Sequence, residues 1–388
     1  MKNILMCTTA IVACGMAAGT ALADGVELGL GGYYIGAAGA NINEKFFDGA
    51  GLDDPRLGAF RQDVEIHVTG ETTLDNGITV GVAIRLEGQQ SDDQIDEVWA
   101  YFNGSFGEIR FGDDEDAMEQ LAYGIPTATN IFGVDSPYMS FSNAWFGGFG
   151  TGTTYVKMSN NATKLIYFSP SFGGFTFAVS YAPDRRGEDC YFGFTSVCGN
   201  VSPGGTTFAN NGTEISNVWS AAMNFEHDFN SFSLYAGVAA SVGEFETPGS
   251  VTVGPITTVG DSDVRATRAH LQAAIGNWYI GLAGMHVDNF FYSGVFPTAD
   301  EVDVWFYGAG VTYNMDAWTF GFAWSHGDLA NWAGSGNDAT LDILRLEARY
   351  DLGPGISLDF STGWESWDAD AQADYSSYPI MTGFYIAF

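Results

Sequence analysis

The last extended stretch of this chain runs to its final residue. Tyr378, Ile380, Phe384, Ile386 and Phe388 fall on one face, with Met381, Gly383 and Tyr385 on the other. Chain ends normally fray, so an apolar, alternating end that stops on phenylalanine must be held in place. A closed antiparallel barrel in a membrane would hold it, because its final strand seals the sheet and turns one face to lipid. Phe384, Ile386 and Phe388 are therefore expected to close the barrel and to signal its assembly.

The start of the chain reads as an export signal covering residues 1–23. Lys2 supplies the positive charge, Ile4 to Ala18 the apolar run, and Ala21-Leu22-Ala23 the small-x-small cut before Asp24. A lipoprotein-type cut competes, since Ile11-Val12-Ala13 precedes Cys14. Cleavage at Asp24 removes only Lys2 among ionised side chains and takes the formal net charge from −33 to −34. Residues 24–388 read as one barrel domain.

Beyond the signal, no apolar run approaches the roughly 18 residues that a membrane helix needs. Charged residues are only 16% of the chain, while aromatics reach 15% and Gly 51 of 388 positions. Low charge content with a strongly acidic balance suits a barrel that is apolar outside and acidic in its lumen or loops. So anionic a chain excludes nucleic acid as a partner. Cys190 and Cys198 bracket seven residues of a single connection, and in an exported chain they are expected to form a disulfide.

About sixteen segments alternate with period two. Val64, Ile66 and Val68 face one way, while Arg61, Asp63, Glu65, His67 and Glu71 face the other. Across Asp75-Asn76-Gly77, a hairpin signal, Ile78, Val80, Val82, Ile84 and Leu86 face out, with Arg85 and Glu87 inward. Segments 162–169 and 302–313 have ambiguous phase. Short turns alternate with longer polar connections at 37–59, 113–160, 183–216, 244–263, 289–300, 327–339 and 367–377, with a brief exception at 89–94. Keeping the long connections at one end is the pattern of an up-and-down transmembrane barrel.

The stretch Trp99 to Met118, with Gly104-Ser105-Phe106-Gly107, Glu108-Ile109-Arg110-Phe111-Gly112 and then Asp113-Asp114-Glu115-Asp116, resembles the general porins of the Gram-negative outer membrane. Strand number, loop order and the terminal Phe extend the likeness over the mature chain. It is nearest to the trimeric, sixteen-stranded porins of alphaproteobacteria. The resemblance implies an outer-membrane location, a homotrimer, contact with lipid and lipopolysaccharide, and insertion by the barrel-assembly machinery. It also implies that segment 113–160 folds inward as a constriction loop.

The acidic start of that segment, Asp113, Asp114, Glu115 and Asp116 with Glu119, would then face a basic wall. The lumen-phase arginines are Arg61, Arg85, Arg110, Arg345 and Arg349, and Arg268 shares its inward phase with His270. Opposed charges across a narrow gap set ion preference and orient dipolar solutes. The acidic excess points to a mild cation preference. The same groups have blander readings, as pairs that stiffen the wall or as a solvated loop face. Asp113, Asp114 and Asp116 also suit a structural calcium ion. Tyr123, Tyr138, Phe141, Trp145, Phe146 and Phe149 would guide sugars, anchor the loop to the inner wall or sit at the trimer contact.

No catalytic motif accompanies the scattered histidines His67, His227, His270, His286 and His326, so an enzyme is not expected. No other cofactor is implied. The leading expectation is a passive diffusion channel for ions and small hydrophilic solutes. The alternatives are a substrate-selective outer-membrane channel and a structural or adhesive surface barrel.

Overall fold

The computed structural model describes residues 25–43, 58–88, 94–135, 154–159, 161–185, 215–245, 250–253, 256–259, 263–289, 302–331, 336–370 and 374–388. The signal segment 1–23 and the pair Cys190 and Cys198 lie outside them, as do Tyr138 to Phe149.

The strands in chain order begin with β1 (Glu27–Asn43), β2 (Ala59–Thr73), β3 (Thr79–Glu87), β4 (Ile95–Gly104) and β5 (Gly107–Asp113). Among the described residues one short helix, α1 (Ala117–Gln120), precedes β6 (Thr163–Phe168), β7 (Phe175–Asp184), β8 (Ile215–Phe229) and β9 (Phe232–Phe245). After a small hairpin of β10 (Ser250–Val253) and β11 (Ile256–Val259) come β12 (Asp263–Ile275), β13 (Trp278–Asp288) and β14 (Asp303–Met315). The chain finishes with β15 (Trp318–Ala330), β16 (Ala339–Gly353), β17 (Ile356–Ala369) and β18 (Tyr375–Ala387). All but the β10–β11 hairpin form one closed, antiparallel barrel of sixteen strands, the fold class read from the sequence.

Closure occurs where the alternation at the chain end placed it. β18 pairs with β1 from Tyr33↔Ala387 to Asn43↔Ser377. The Phe388 N–H donates to Gly32 O at 3.1 Å, and the Gly32 N–H donates to Phe388 O at 3.0 Å. Ile380, Phe384 and Phe388 face outward, while Met381 is buried inside against Ile35, Ile131 and Phe132.

Burial across the wall is inverted relative to a soluble domain. Leu28, Leu30, Phe111, Leu165, Leu282 and Leu346 are exposed on the outside, whereas Glu65, Glu97, Arg268, Arg345, Glu347 and Asp359 are buried within. An apolar belt around a charged interior is what a bilayer demands of a barrel.

Turn chemistry fixes the registers. Gly77 takes φ +81° and donates to Leu74 O at 2.9 Å, while Asn76 Oδ1 accepts from the Ile78 N–H at 3.1 Å. That hairpin holds Thr73 opposite Thr79 and sends Arg85 to the lumen opposite Glu97.

The structure differs from the sequence reading where alternation is weak. β1 continues through Gly36-Ala37-Ala38-Gly39-Ala40 into the stretch read as a connection, because such small residues carry no in–out contrast. The connection 244–263 contains the β10–β11 hairpin. In β6, Lys164 and Ile166 face in; in β14, Val304 and Phe306 do. In β14 the lumen beside the strand is itself apolar and packed, and in β6 apolar residues fall on both faces, Leu165 and Tyr167 outward with Ile166 inward.

Candidate functional site in the barrel lumen

The segment after β5 enters the barrel. Asp116 begins α1 as its N-cap, accepting from the N–H groups of Met118 (2.9 Å) and Glu119 (3.1 Å). The Ala117 N–H donates to the Ser180 hydroxyl of β7 at 3.0 Å. The segment then follows the inner wall. Tyr123 donates to Glu226 of β8 at 2.5 Å, and the Gly124 carbonyl accepts from Gln272 of β12.

Two wall carboxylates seize its backbone. Glu347 Oε2 on β16 accepts from the Ala128 N–H at 2.6 Å and from the Thr127 hydroxyl at 2.7 Å. Asp359 on β17 accepts from the Asn130 N–H at 2.6 Å. Irregular backbone in a lumen needs such partners, since an unpaired buried N–H is costly.

Wall glycines let the segment lie flush. A Cβ at Gly310 of β14 would strike the Pro126 carbonyl, and one at Gly321 of β15 would stand 2.8 Å from the Ala128 Cβ. Apolar packing completes the attachment. Met118, Ile125, Val134, Val156 and Met158 bury against a wall cluster that includes Met285, Phe306, Leu341 and Trp367. Each fully buried large side chain contributes about 1.5–3 kcal/mol.

The returning limb runs back through the lumen. Asp135 accepts from the N–H groups of Ile125 (2.6 Å) and Thr154 (2.7 Å), pinning the two limbs together. Burial pushes the Asp135 carboxyl up, and those donors pull it down. Farther on, Ser159 donates to Asp116 at 3.4 Å and Asn161 to Asp96 Oδ1 at 2.9 Å.

The acidic start of the segment is divided among different partners. Asp113 accepts from the Thr163 hydroxyl. Asp114 meets Arg110 at 3.0 Å and Gln120 at 2.7 Å. Asp116 caps α1. Among the described residues, Asp113, Asp114 and Asp116 are thus not gathered into a shared cation cage; the close carboxylate trio is instead Glu65, Glu87 and Asp96. Glu115 and Glu119 each stand 3.8 Å from Lys157. Burial, with Glu115 adding to it, holds the Glu119 carboxyl well above its usual range, and burial also raises Glu115 and Asp116. The Glu119 charge in turn holds the Lys157 ammonium above its own usual value.

The arginines named from the sequence largely pair along the wall itself. Arg85 binds Glu97 at 2.5 Å, lies 3.7 Å from Glu65 and packs over the Trp99 ring. Arg110 binds Glu108 at 2.5 Å and joins the segment's acidic start through Asp114. Arg345 pairs with Glu365. Arg349 meets Asp351 at 3.0 Å and Asn130 at 3.4 Å. Arg268 is buried under the returning limb, 4.0 Å from the Tyr155 ring, with His270 beside Tyr123. Arg61 stands exposed near the beginning of β2, opposite Ala37.

Glu347, Asp359 and Lys157 were not singled out from the sequence. The two acids occupy inward phases, Arg345-Glu347-Arg349 and Ser357-Asp359-Ser361, so their alternation was a usable signal. Lys157 sits in a stretch without periodicity.

A family model described as Gram-negative porin matches residues 8–369 of this chain. Outer membrane porin protein 32 of Delftia acidovorans is 33% identical over 86 residues; the match covers 22% of this chain and spans only 22% of that relative. The anion-selective porin of Comamonas acidovorans superposes with a TM-score of 0.57 at 16% identity, over 94% of this chain and all of that one. A loop-deleted OmpT of Vibrio cholerae gives 0.59 at 15% identity, over 94% and 100%. A trimer form of OmpT from the same organism gives 0.57 at 14% identity, over 93% and 100%. At these identities the superpositions speak to the barrel architecture.

Proposed function

Because this chain belongs to the Gram-negative porin family, we propose that it is a passive diffusion channel of the outer membrane for ions and small hydrophilic solutes. The segment between β5 and β6 is its constriction. One observation carries this reading: the segment's backbone is fastened inside the barrel by Glu347 and Asp359, on the wall opposite its entry. Sixteen strands enclose more space than side chains alone would fill, and a belt held against the wall narrows that space without sealing it.

Selectivity then follows from the charges bordering the remaining gap. Glu115 and Glu119 flank the ammonium of Lys157, Glu65 and Glu97 flank Arg85, and the whole chain carries −33. This acidic excess supports a mild cation preference. The anion selectivity of the Comamonas protein belongs to that protein, whose sequence has diverged too far to transfer it.

The channel assembles as a homotrimer, a proposal supported by the trimer form of the related OmpT. Lipid and lipopolysaccharide surround the apolar belt, and the assembly machinery engages the terminal strand. Cleavage before Asp24 and a Cys190–Cys198 disulfide complete the proposal.

Swelling of vesicles containing the purified protein tests the reading. Neutral sugars should enter at rates that fall steeply with solute size. A folded barrel in the vesicle membrane that admits none of them would favour the surface-anchoring alternative.

A further inference from the structure

We infer that Lys157 is the residue through which this channel reads the charge of a passing solute, an inference that rests on the diffusion-channel reading above. The solutes it would recognise are small anions and the carboxylate or phosphate group of larger ones.

Among the described residues, most cations around the lumen segment are paired with a carboxylate or buried. Around the lumen segment, Arg85, Arg110, Arg345 and Arg349 each lie within 3.0 Å of a carboxylate and expose at most 17% of their side chains. Such close pairs act on a distant solute as dipoles, whose fields fall faster than that of a single charge. Arg268 and Lys164 are buried outright. Lys157 exposes 49% of its side chain and stands 3.8 Å from both Glu115 and Glu119, beyond hydrogen-bond length. An ammonium shared loosely between two acids, on a long flexible stem, is free to engage an incoming anion.

Its setting strengthens the point. Asp96 and Glu97 on β4 lie within electrostatic reach of Lys157. The acids at this part of the opening repel anions, and Lys157 is the counter-charge that admits them. The apolar packing of the segment against β13, β14, β16 and β17 leaves that side of the lumen filled. Arg61 is also exposed, but it stands on the wall, whereas Lys157 is carried by the constricting segment between two of its acids.

The test is the reversal potential of the full-length protein in planar bilayers under a potassium chloride gradient at alkaline pH. Lys157→Gln should raise the potassium-to-chloride permeability ratio by about twofold or more, since a unit charge a few ångströms away alters ion occupancy several-fold even in water. Lys157→Glu should raise it further, Lys157→Arg should match wild type, and Arg61→Gln should shift it less than Lys157→Gln. Wild-type reversal potentials in conducting Lys157→Gln and Lys157→Glu channels overturn the inference, as does an equal or larger effect of Arg61→Gln. If those variants do not fold, Lys157→Cys can be modified after assembly with cationic or anionic methanethiosulfonates. Shifts of opposite sign are expected, and identical reversal potentials overturn the inference. A wild-type barrel that passes no current overturns the channel reading itself and this inference with it.

Discussion

The carboxylate of Glu347, on strand β16, accepts a 2.6 Å hydrogen bond from the backbone N–H of Ala128 in the segment that crosses the lumen. These residues are 219 positions apart in the chain, and their bond fixes where the segment lies against the wall. Glu347→Ala leaves that buried N–H without its carboxylate and takes from the Thr127 hydroxyl its short bond, at a cost of about 1–3 kcal/mol. The expected outcome is a noisier channel with flickering open-state current and a lowered unfolding temperature. Quiet, wild-type current from Glu347→Ala would show that the tether does not hold the segment.

Gly310 tests the same attachment through shape. A side chain there would strike the Pro126 carbonyl, so Gly310→Val should push the segment off the wall and destabilise the protein by about 1–3 kcal/mol, typical of overpacking. Single-channel conductance should change while the heat-dependent gel shift of a folded barrel persists. An unchanged conductance would argue that the segment does not lie against β14.

Acidity should act through Glu119. Burial, with the neighbouring Glu115, raises its carboxyl well above the ordinary 4.5. A carboxyl raised on folding contributes stability that is complete below its unfolded value and lost as pH climbs through the folded one. Once deprotonated Glu119 is charged, so cation preference should grow as pH rises beyond the ordinary carboxylate range, and Glu119→Gln should flatten that growth. An equally steep profile in Glu119→Gln would assign the titration to other groups.

Phe388 is held by paired backbone bonds to Gly32, and its apolar ring faces outward. Deleting it removes one end of the seal between β18 and β1. Outer-membrane abundance of the deletion variant should fall severalfold, read by membrane fractionation, with a milder loss for Phe388→Ala. Normal abundance of the deletion variant would remove Phe388 from the assembly signal.

The barrel was legible because lipid on one side and a charged interior on the other impose a strict period of two. Val64 to Val68 and the residues from Tyr378 to Phe388 display it plainly. It faded where Ala37 to Ala40 gave no contrast, and where Val304 and Phe306 turned apolar side chains inward against the lumen segment. Alternation puts Arg85, Arg110, Arg345 and Arg349 in the lumen phase, and each meets a carboxylate there. Their partners were not legible, because pairing such as Arg85 with Glu97 depends on register between strands, and only a tight turn like Asp75-Asn76-Gly77 encodes register locally. Alternation turns Glu347 and Asp359 inward, but their partners lie more than two hundred residues away, and no local pattern announces that pairing.

On the reading proposed above, this barrel is an open channel narrowed by the segment between β5 and β6. Single-channel recording of the purified protein in a planar bilayer tests it most directly. The account predicts stepwise, ohmic openings, grouped in threes, whose size scales with salt concentration. A barrel shown to be folded and inserted, yet passing no measurable current at any salt concentration, would contradict it.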